Sequence, residues 1–198
     1  IKETQIVNAV DNYKLRKMSK EASAKNAVCY DPAQFALSGI RDADVRPGDR
    51  VVVIGLGAIG QIALQFAAKI GATTVIGIDP IAKRREIAEK HGAHYTIDSM
   101  SCDAGMEIKK LTDKKGADVI IETSGNVHAL QSALKGLAYN GTIAYVAFAK
   151  PFPAGLWLGQ EHTSITARSF SPVPAVSRTR NIRAGTDTES KMCAGSFL

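Results

Sequence analysis

Between residues 46 and 149 the spacing of apolar positions changes repeatedly, and each change marks an element. The run "VVVI" at 51–54 is apolar and β-branched throughout, as a strand buried on both faces requires. From Ala58 to Ile70 apolar residues return every three or four positions, which predicts a helix, and Gly71 supplies its C-cap. "TTVIGID" at 73–79 predicts a second strand. "IAKRREIAEKHGA" at 81–93 reads as a helix with a charged outer face, closed by Gly92. "HYTID" at 94–98 is a short third strand, and "CDAGMEIKKLTDKKG" at 102–116 a helix and turn. "ADVIIETSG" at 117–125 is a fourth strand with 119–121 buried. "NVHALQSALKGLAYNG" at 126–141 is a helix closed by an Asn140-Gly141 turn, and "TIAYVAFA" at 142–149 is a fifth strand. Five strands alternating with four helices demand parallel pairing through right-handed crossovers. The fold class is therefore α/β, a doubly wound, mainly parallel sheet.

The pattern weakens at both ends. Ahead of it, Asp31-Pro32 opens a short apolar helix to Ile40, and "RPGD" at 46–49 is a turn. Residues 1–26 are polar and lysine-rich, with one strand-like stretch at 5–10. Behind it, "HTSITARSFSPVPAVSRTRNIRAGTD" shows no apolar face of period 2 or 3.6.

Composition adds limits rather than a function. The chain is 45% hydrophobic, enough for a core in one medium-sized domain. No apolar run reaches the roughly 18 residues of a membrane span, and no secretory leader pattern opens the chain. The net charge of +6 suggests nucleic-acid binding only until it is located. Residues 1–26 and 163–198 each carry an excess of +3, and 27–162 is neutral with fourteen charges of each sign. No nucleic-acid partner is expected of such a body. Three scattered cysteines, Cys29, Cys102 and Cys193, argue for reduced thiols and a cytoplasmic location. His91, His94, His128 and His162 show no metal-ligand spacing and are expected at surfaces or helix ends. No metal site and no catalytic triad emerge.

Chemistry enters at Gly55-Leu56-Gly57-Ala58-Ile59-Gly60, a G-x-G-x-x-G between a buried strand and a helix N-terminus. Gly55 permits the tight turn, Gly57 lets backbone N–H groups approach a pyrophosphate, and Gly60 allows close helix–strand packing. Asp79 ends the second strand nineteen residues after Gly60. A carboxylate there accepts hydrogen bonds from a ribose 2′-OH and repels a 2′-phosphate, so NAD is expected over NADP. Lys83, Arg84 and Arg85 follow, with Lys83 and Arg85 expected on a solvated helix face. Thr123-Ser124-Gly125 ends the fourth strand and Val146 to Phe148 the fifth. Both stand at the carboxyl ends of the sheet, where the nicotinamide side of such a ligand lies.

Together, "VRPGDRVVVIGLGAIGQIALQFAAKIGA", "GIDPIAKRREIAEKHGA" and "GADVIIETSGN" resemble the coenzyme domain of medium-chain, zinc-type alcohol dehydrogenases, above all the sorbitol and threonine dehydrogenase branch. The resemblance spans roughly 27–161. It implies an NAD(P)-dependent alcohol–ketone oxidoreductase. By position it assigns Gly55, Gly57, Ala58, Ile59 and Gly60 to the pyrophosphate, Asp79 to the ribose and Arg84 to the adenosine. Ser124 and Phe148 fall near the nicotinamide. In that family a preceding domain carries the zinc ligands and pairs the coenzyme with a small alcohol, polyol or ketone. Nothing here matches that domain except Asp31, which stands where the family has the Glu of a Glu-Pro pair. The expected organisation is a remnant of the connection at 1–45, a dinucleotide-binding domain at 46–161 and an irregular tail at 162–198. The chain is expected to bind NAD(H) without turning over, zinc belonging to a longer parent. A non-catalytic NAD-sensing module is the alternative.

The resemblance also implies a sixth strand near residue 165 and, through that sheet edge, a homo-oligomer. Residues 168–185 can be encoded so that the shifted frame reads KIIFSRACSEPNPEYPRW, a buried strand and a proline-rich turn. One base lost between Glu161 and His162 would produce the tail. On this basis the tail is expected to be out of frame, the sixth strand lost, and dimerisation in doubt.

Overall fold

The computed structural model describes residues 18–147 and two strands at 164–169 and 181–183. Two short helices come first, α1 (Ala24–Val28) and α2 (Tyr30–Asp42). Ser23 caps α1 by accepting the Asn26 N–H at 3.1 Å. The alternation then runs β1 (Arg50–Ile54), α3 (Ala58–Ile70), β2 (Thr74–Ile78), α4 (Ala82–Lys90), β3 (Tyr95–Ile97), α5 (Ala104–Leu111), β4 (Ala117–Glu122), α6 (Val127–Leu134) and β5 (Leu137–Tyr145). The strand order is β3-β2-β1-β4-β5, all parallel, and chain direction across the sheet reverses between β1 and β4.

The sheet has a core on each face. Val52, Ile54, Ile76, Ile78 and Ile120 pack with α5 and α6 through Ile108, Leu130 and Leu134. Val51, Val53, Val75, Val119 and Ile121 pack with α2 and α3 through Ile40, Leu64 and Ala67. Alternate residues of one strand thus serve opposite cores, which is why "VVVI" and "VII" are apolar without a polar partner face. A doubly wound α/β sheet is the architecture.

One expectation about that sheet is overturned. The sixth strand is present: β6 (Ser164–Ser169) pairs parallel with β5, in register Ile143↔Ala167 to Tyr145↔Ser169. A seventh, β7 (Asn181–Arg183), pairs antiparallel with β6. Without β6, the carboxyl half of β5 would present an open row of backbone donors and acceptors, and β6 takes that edge. Ser164-Ile165-Thr166-Ala167 alternates over a span too short to register as a periodic face in a Ser-, Arg- and Pro-rich stretch.

Asn140-Gly141 also differs. It lies inside β5 rather than closing α6, which ends at Leu134 and is capped by Lys135. Asn140 has φ 59°, and the pairing with β4 slips between Ala117↔Leu137 and Val119↔Thr142. The dipeptide bends the chain as a bulge, which needs the same left-handed backbone as a turn.

Candidate functional site

The switch between β1 and β4 opens a crevice at their carboxyl ends, and the glycine loop lies in it. Gly55 has φ 87°, and a Cβ there would meet Ser124 Cβ at 2.7 Å. A Cβ on Gly60 would fall on the Gly55 carbonyl oxygen and lie 2.8 Å from Thr123 Oγ1. The loops after β1 and β4 are therefore interlocked, and Thr123 Oγ1 secures them by donating to Gly55 O at 2.7 Å. Around Gly57, by contrast, a Cβ would meet nothing within 4 Å. Gly57 is also the N-cap of α3, and no side chain caps the first-turn N–H groups of that helix. An open approach to uncapped N–H groups, at the positive end of a 13-residue helix, fits a pyrophosphate. Ala58 is exposed and Ile59 half-buried at this entrance.

Asp79 is 2% exposed at the end of β2. Its Oδ2 accepts the Leu56 N–H at 2.8 Å, and its Oδ1 accepts the Ile81 N–H at 2.8 Å. The carboxylate thereby ties β2 to the middle of the glycine loop. Arg84, half-exposed, reaches Oδ2 at 3.3 Å. The three groups expected at the adenosine half are assembled: loop, acid and Arg84. Arg85 departs from expectation. Its guanidinium donates to Asp79 O at 2.8 Å and pairs with Asp98 at 3.2 Å, with its side chain only 18% exposed. It fastens α4 to the end of β2 rather than facing solvent. Lys83 is exposed and pairs with Glu86, as expected.

At the other half, Ser124 is exposed and Thr123 and Gly125 are half-buried beside the loop. Residues Val146 and Ala147 lie just past β5, both donating their N–H groups to Glu122 O at 2.8 and 3.1 Å. The Val146 side chain is turned toward α2, where a Cβ on Gly39 would meet it at 2.6 Å. It contributes backbone to the crevice and side chain to the core. Phe148 lies outside the described residues.

Sequence reasoning passed over Glu122. Its side chain is wholly buried, and Oε1 accepts N–H groups from Ser124 at 2.7 Å and Gly125 at 2.9 Å. The Ser124 hydroxyl donates to the same oxygen. Oε2 is left with Gly125 N–H at 3.2 Å. Burial pushes the Glu122 carboxyl above its ordinary range, and these hydrogen bonds oppose that only in part. The available signal was an acid closing an apolar strand directly before "TSG".

Among the described residues the histidines take separate structural positions; His162 lies outside those residues. His91 caps α4 and His128 is exposed on α6. His94 is exposed just before β3, as expected, and its Nδ1 accepts the Val75 N–H at 2.9 Å. Asp31 is exposed in the first turn of α2. Among the described residues no three His, Cys, Asp or Glu converge as a metal site, and no helix is long and apolar enough to cross a membrane. These residues do not fit a zinc ion.

The chain is similar to known dehydrogenases. A family model described as zinc-binding dehydrogenase matches residues 58–171. The D-guloside 3-dehydrogenase of Escherichia coli (strain K12) is 66% identical over 161 residues, 81% of this chain and 46% of its own length. The sorbitol dehydrogenase of Bacillus subtilis (strain 168) is 36% identical over 124 residues, 63% of this chain and 35% of its own. Among solved structures, the alcohol dehydrogenase TADH from Thermus sp. ATN1 superposes with a TM-score of 0.62 at 28% identity, covering 71% of this chain and 41% of that one. The chain spans less than half the length of each.

Proposed function

The chain belongs to the zinc-binding dehydrogenase family, and from that premise we propose that it is the NAD(H)-binding part of a longer alcohol dehydrogenase. The observation that carries this is the Asp79 carboxylate, buried and bonded to Leu56 N–H in the glycine loop. It leaves the entrance at Gly57 open to phosphates and puts a negative charge where a 2′-phosphate would stand. In the parent, the Gly55–Gly60 and Thr123–Gly125 ends of the sheet would hold the nicotinamide, which would supply hydride transfer with a carbinol carbon. A metal ion of the kind that names the family would polarise the substrate hydroxyl, with ligands supplied by other parts of the protein. The substrate of the parent is a ring hydroxyl of a glycoside of the D-guloside type, by the 66% identity. Alone, this chain binds coenzyme without turnover. The experiment is titration of the chain with NADH and with NADPH, followed by an assay for NAD reduction with a D-guloside. Tighter NADH binding and no reduction are expected; tighter NADPH binding refutes the role of Asp79.

The organisation at 1–45, 46–161 and 162–198 belongs to the same proposal, with the last part translated out of frame. The guloside dehydrogenase matches 161 residues, a number that would fit the chain ahead of His162, whereas the family model extends to residue 171, ten residues into the tail. A strand at 164–169 does not oppose this, because an open sheet edge recruits backbone more than side chains. The gene's nucleotide sequence decides it: a shifted frame that does not continue as KIIFS removes the idea.

A further inference from the structure

Glu122 is at the meeting point of both loops on the nicotinamide side. Its carboxylate collects Ser124 N–H, Ser124 hydroxyl and Gly125 N–H. Its own carbonyl oxygen accepts Val146 N–H and Ala147 N–H. One residue thus holds the exits of β4 and β5, while the adenosine half is held separately by Asp79 and Arg84. The turn it holds is also the turn that meets the glycine loop, since Gly55 can carry no side chain against Ser124.

The choice of a buried acid needs a reason. A wholly buried carboxylate is costly, and an apolar residue would serve the packing of Ile54 and Ile120 at this end of the sheet better. Three donors crowded on Oε1 supply the reason. The Ser124 and Gly125 N–H groups of the turn point back at the strand end, and without an acceptor they would be left part-buried and unpaired. The result is a fixed turn whose Ser124 hydroxyl is committed inward: it donates to Glu122 and accepts Asn126 N–H at 3.0 Å. What the turn shows the crevice is then main chain of fixed position.

We propose that Glu122 is a positioning residue for the nicotinamide ring, acting through the 123–125 turn, and that it has no comparable effect on the adenosine half. The inference rests on the proposed NAD(H) binding. It separates two halves of one ligand, so ADP-ribose, which lacks the nicotinamide, is the natural control.

The experiment compares wild type, Glu122→Ala and Glu122→Gln in binding NADH and ADP-ribose, with the emission of bound NADH as the signature of the ring's surroundings. Loss of the acceptor in Glu122→Ala is expected to weaken NADH about tenfold while ADP-ribose stays within about twofold. The emission of bound NADH should move toward that of free NADH. Glu122→Gln keeps an amide oxygen in the place of Oε1 and should restore both affinity and emission. Equal weakening of both ligands in a folded Glu122→Ala, or no change in either, overturns the proposal. If Glu122→Ala does not fold, Glu122→Gln decides alone: retained emission supports the acceptor role, and lost emission with normal ADP-ribose binding overturns it. A wild type that binds neither ligand is a different result and overturns the NAD(H) function itself.

Discussion

Asp79 Oδ2 accepts the Leu56 N–H at 2.8 Å, so the residue after β2 holds the loop after β1. The bond is buried, and the carboxylate's other oxygen is taken by Ile81 N–H. Asp79→Ala strands the buried Leu56 donor and the part-buried Ile81 donor and is expected to cost about 1–3 kcal/mol of stability by urea unfolding. It also removes the ribose partner, so NADH affinity should fall by more than about tenfold while discrimination against NADPH narrows. Fluorescence titration of both coenzymes reads the two effects.

Gly60 offers no room. Its added Cβ would fall on the Gly55 carbonyl, which is main chain and fixed by Thr123. Gly60→Ala must push the loop from the helix and is expected to abolish measurable NADH binding with a stability loss of about 1–3 kcal/mol. Gly57→Ala meets nothing in the protein, so its stability should stay near wild type while pyrophosphate binding weakens. Unfolding curves that rank these two the other way contradict the loop geometry.

Asp118 and Glu122 stand near opposite ends of β4 and respond to acid in opposite senses. Burial pulls Asp118 up, but hydrogen bonds from Arg50 and its charge outweigh this and leave the carboxyl below its ordinary value of 3.8. Its contribution is present above 3.8 and is lost as pH falls through the lower folded value. Asp118→Asn should cost about 1–2 kcal/mol near neutral pH, a loss that shrinks in acid. Stability measured from pH 7 downward checks this.

Glu122 works the other way. Its folded carboxyl titrates above 4.5, so its contribution is present below 4.5 and is lost as pH rises through the folded value. Glu122→Gln should therefore be at least as stable as wild type at neutral pH, with the difference vanishing below 4.5. A variant less stable than wild type at pH 7 and equal to it in acid would reverse the sign.

How far the sequence disclosed this molecule depends on the range of each signal. The alternation of β1 to β5 with α3 to α6 was legible because burial on both faces leaves apolar runs, and helix faces repeat at their own period. The glycine loop and Asp79 were legible because their spacing states a mechanism. Asn140-Gly141 marked a sharp bend, but a dipeptide does not say whether a strand continues after it. Arg85 looked solvated because its partner, Asp98, comes from the next connection. Glu122 stayed hidden because a strand-end acid is ordinarily a surface residue. Its donors are local, yet its burial is made by other strands. β6 was hidden because sheet pairing at an edge asks little of side chains.

The interlock of Gly55 with Thr123 and Ser124 also orders the folding of the chain. Thr123 Oγ1 and Gly55 O are 68 residues apart in sequence, as are Arg50 and Asp118 at the other end of the same strand pair. The β1-α3-β2 unit and the β4-α6-β5 unit are each far more local, so loop closure sets the joining of β1 to β4 as the slow, late event. The crevice does not exist in either half before that event. NADH should accordingly leave the refolding rate unchanged and slow unfolding instead, lengthening the lifetime of a chain whose site is also its seam.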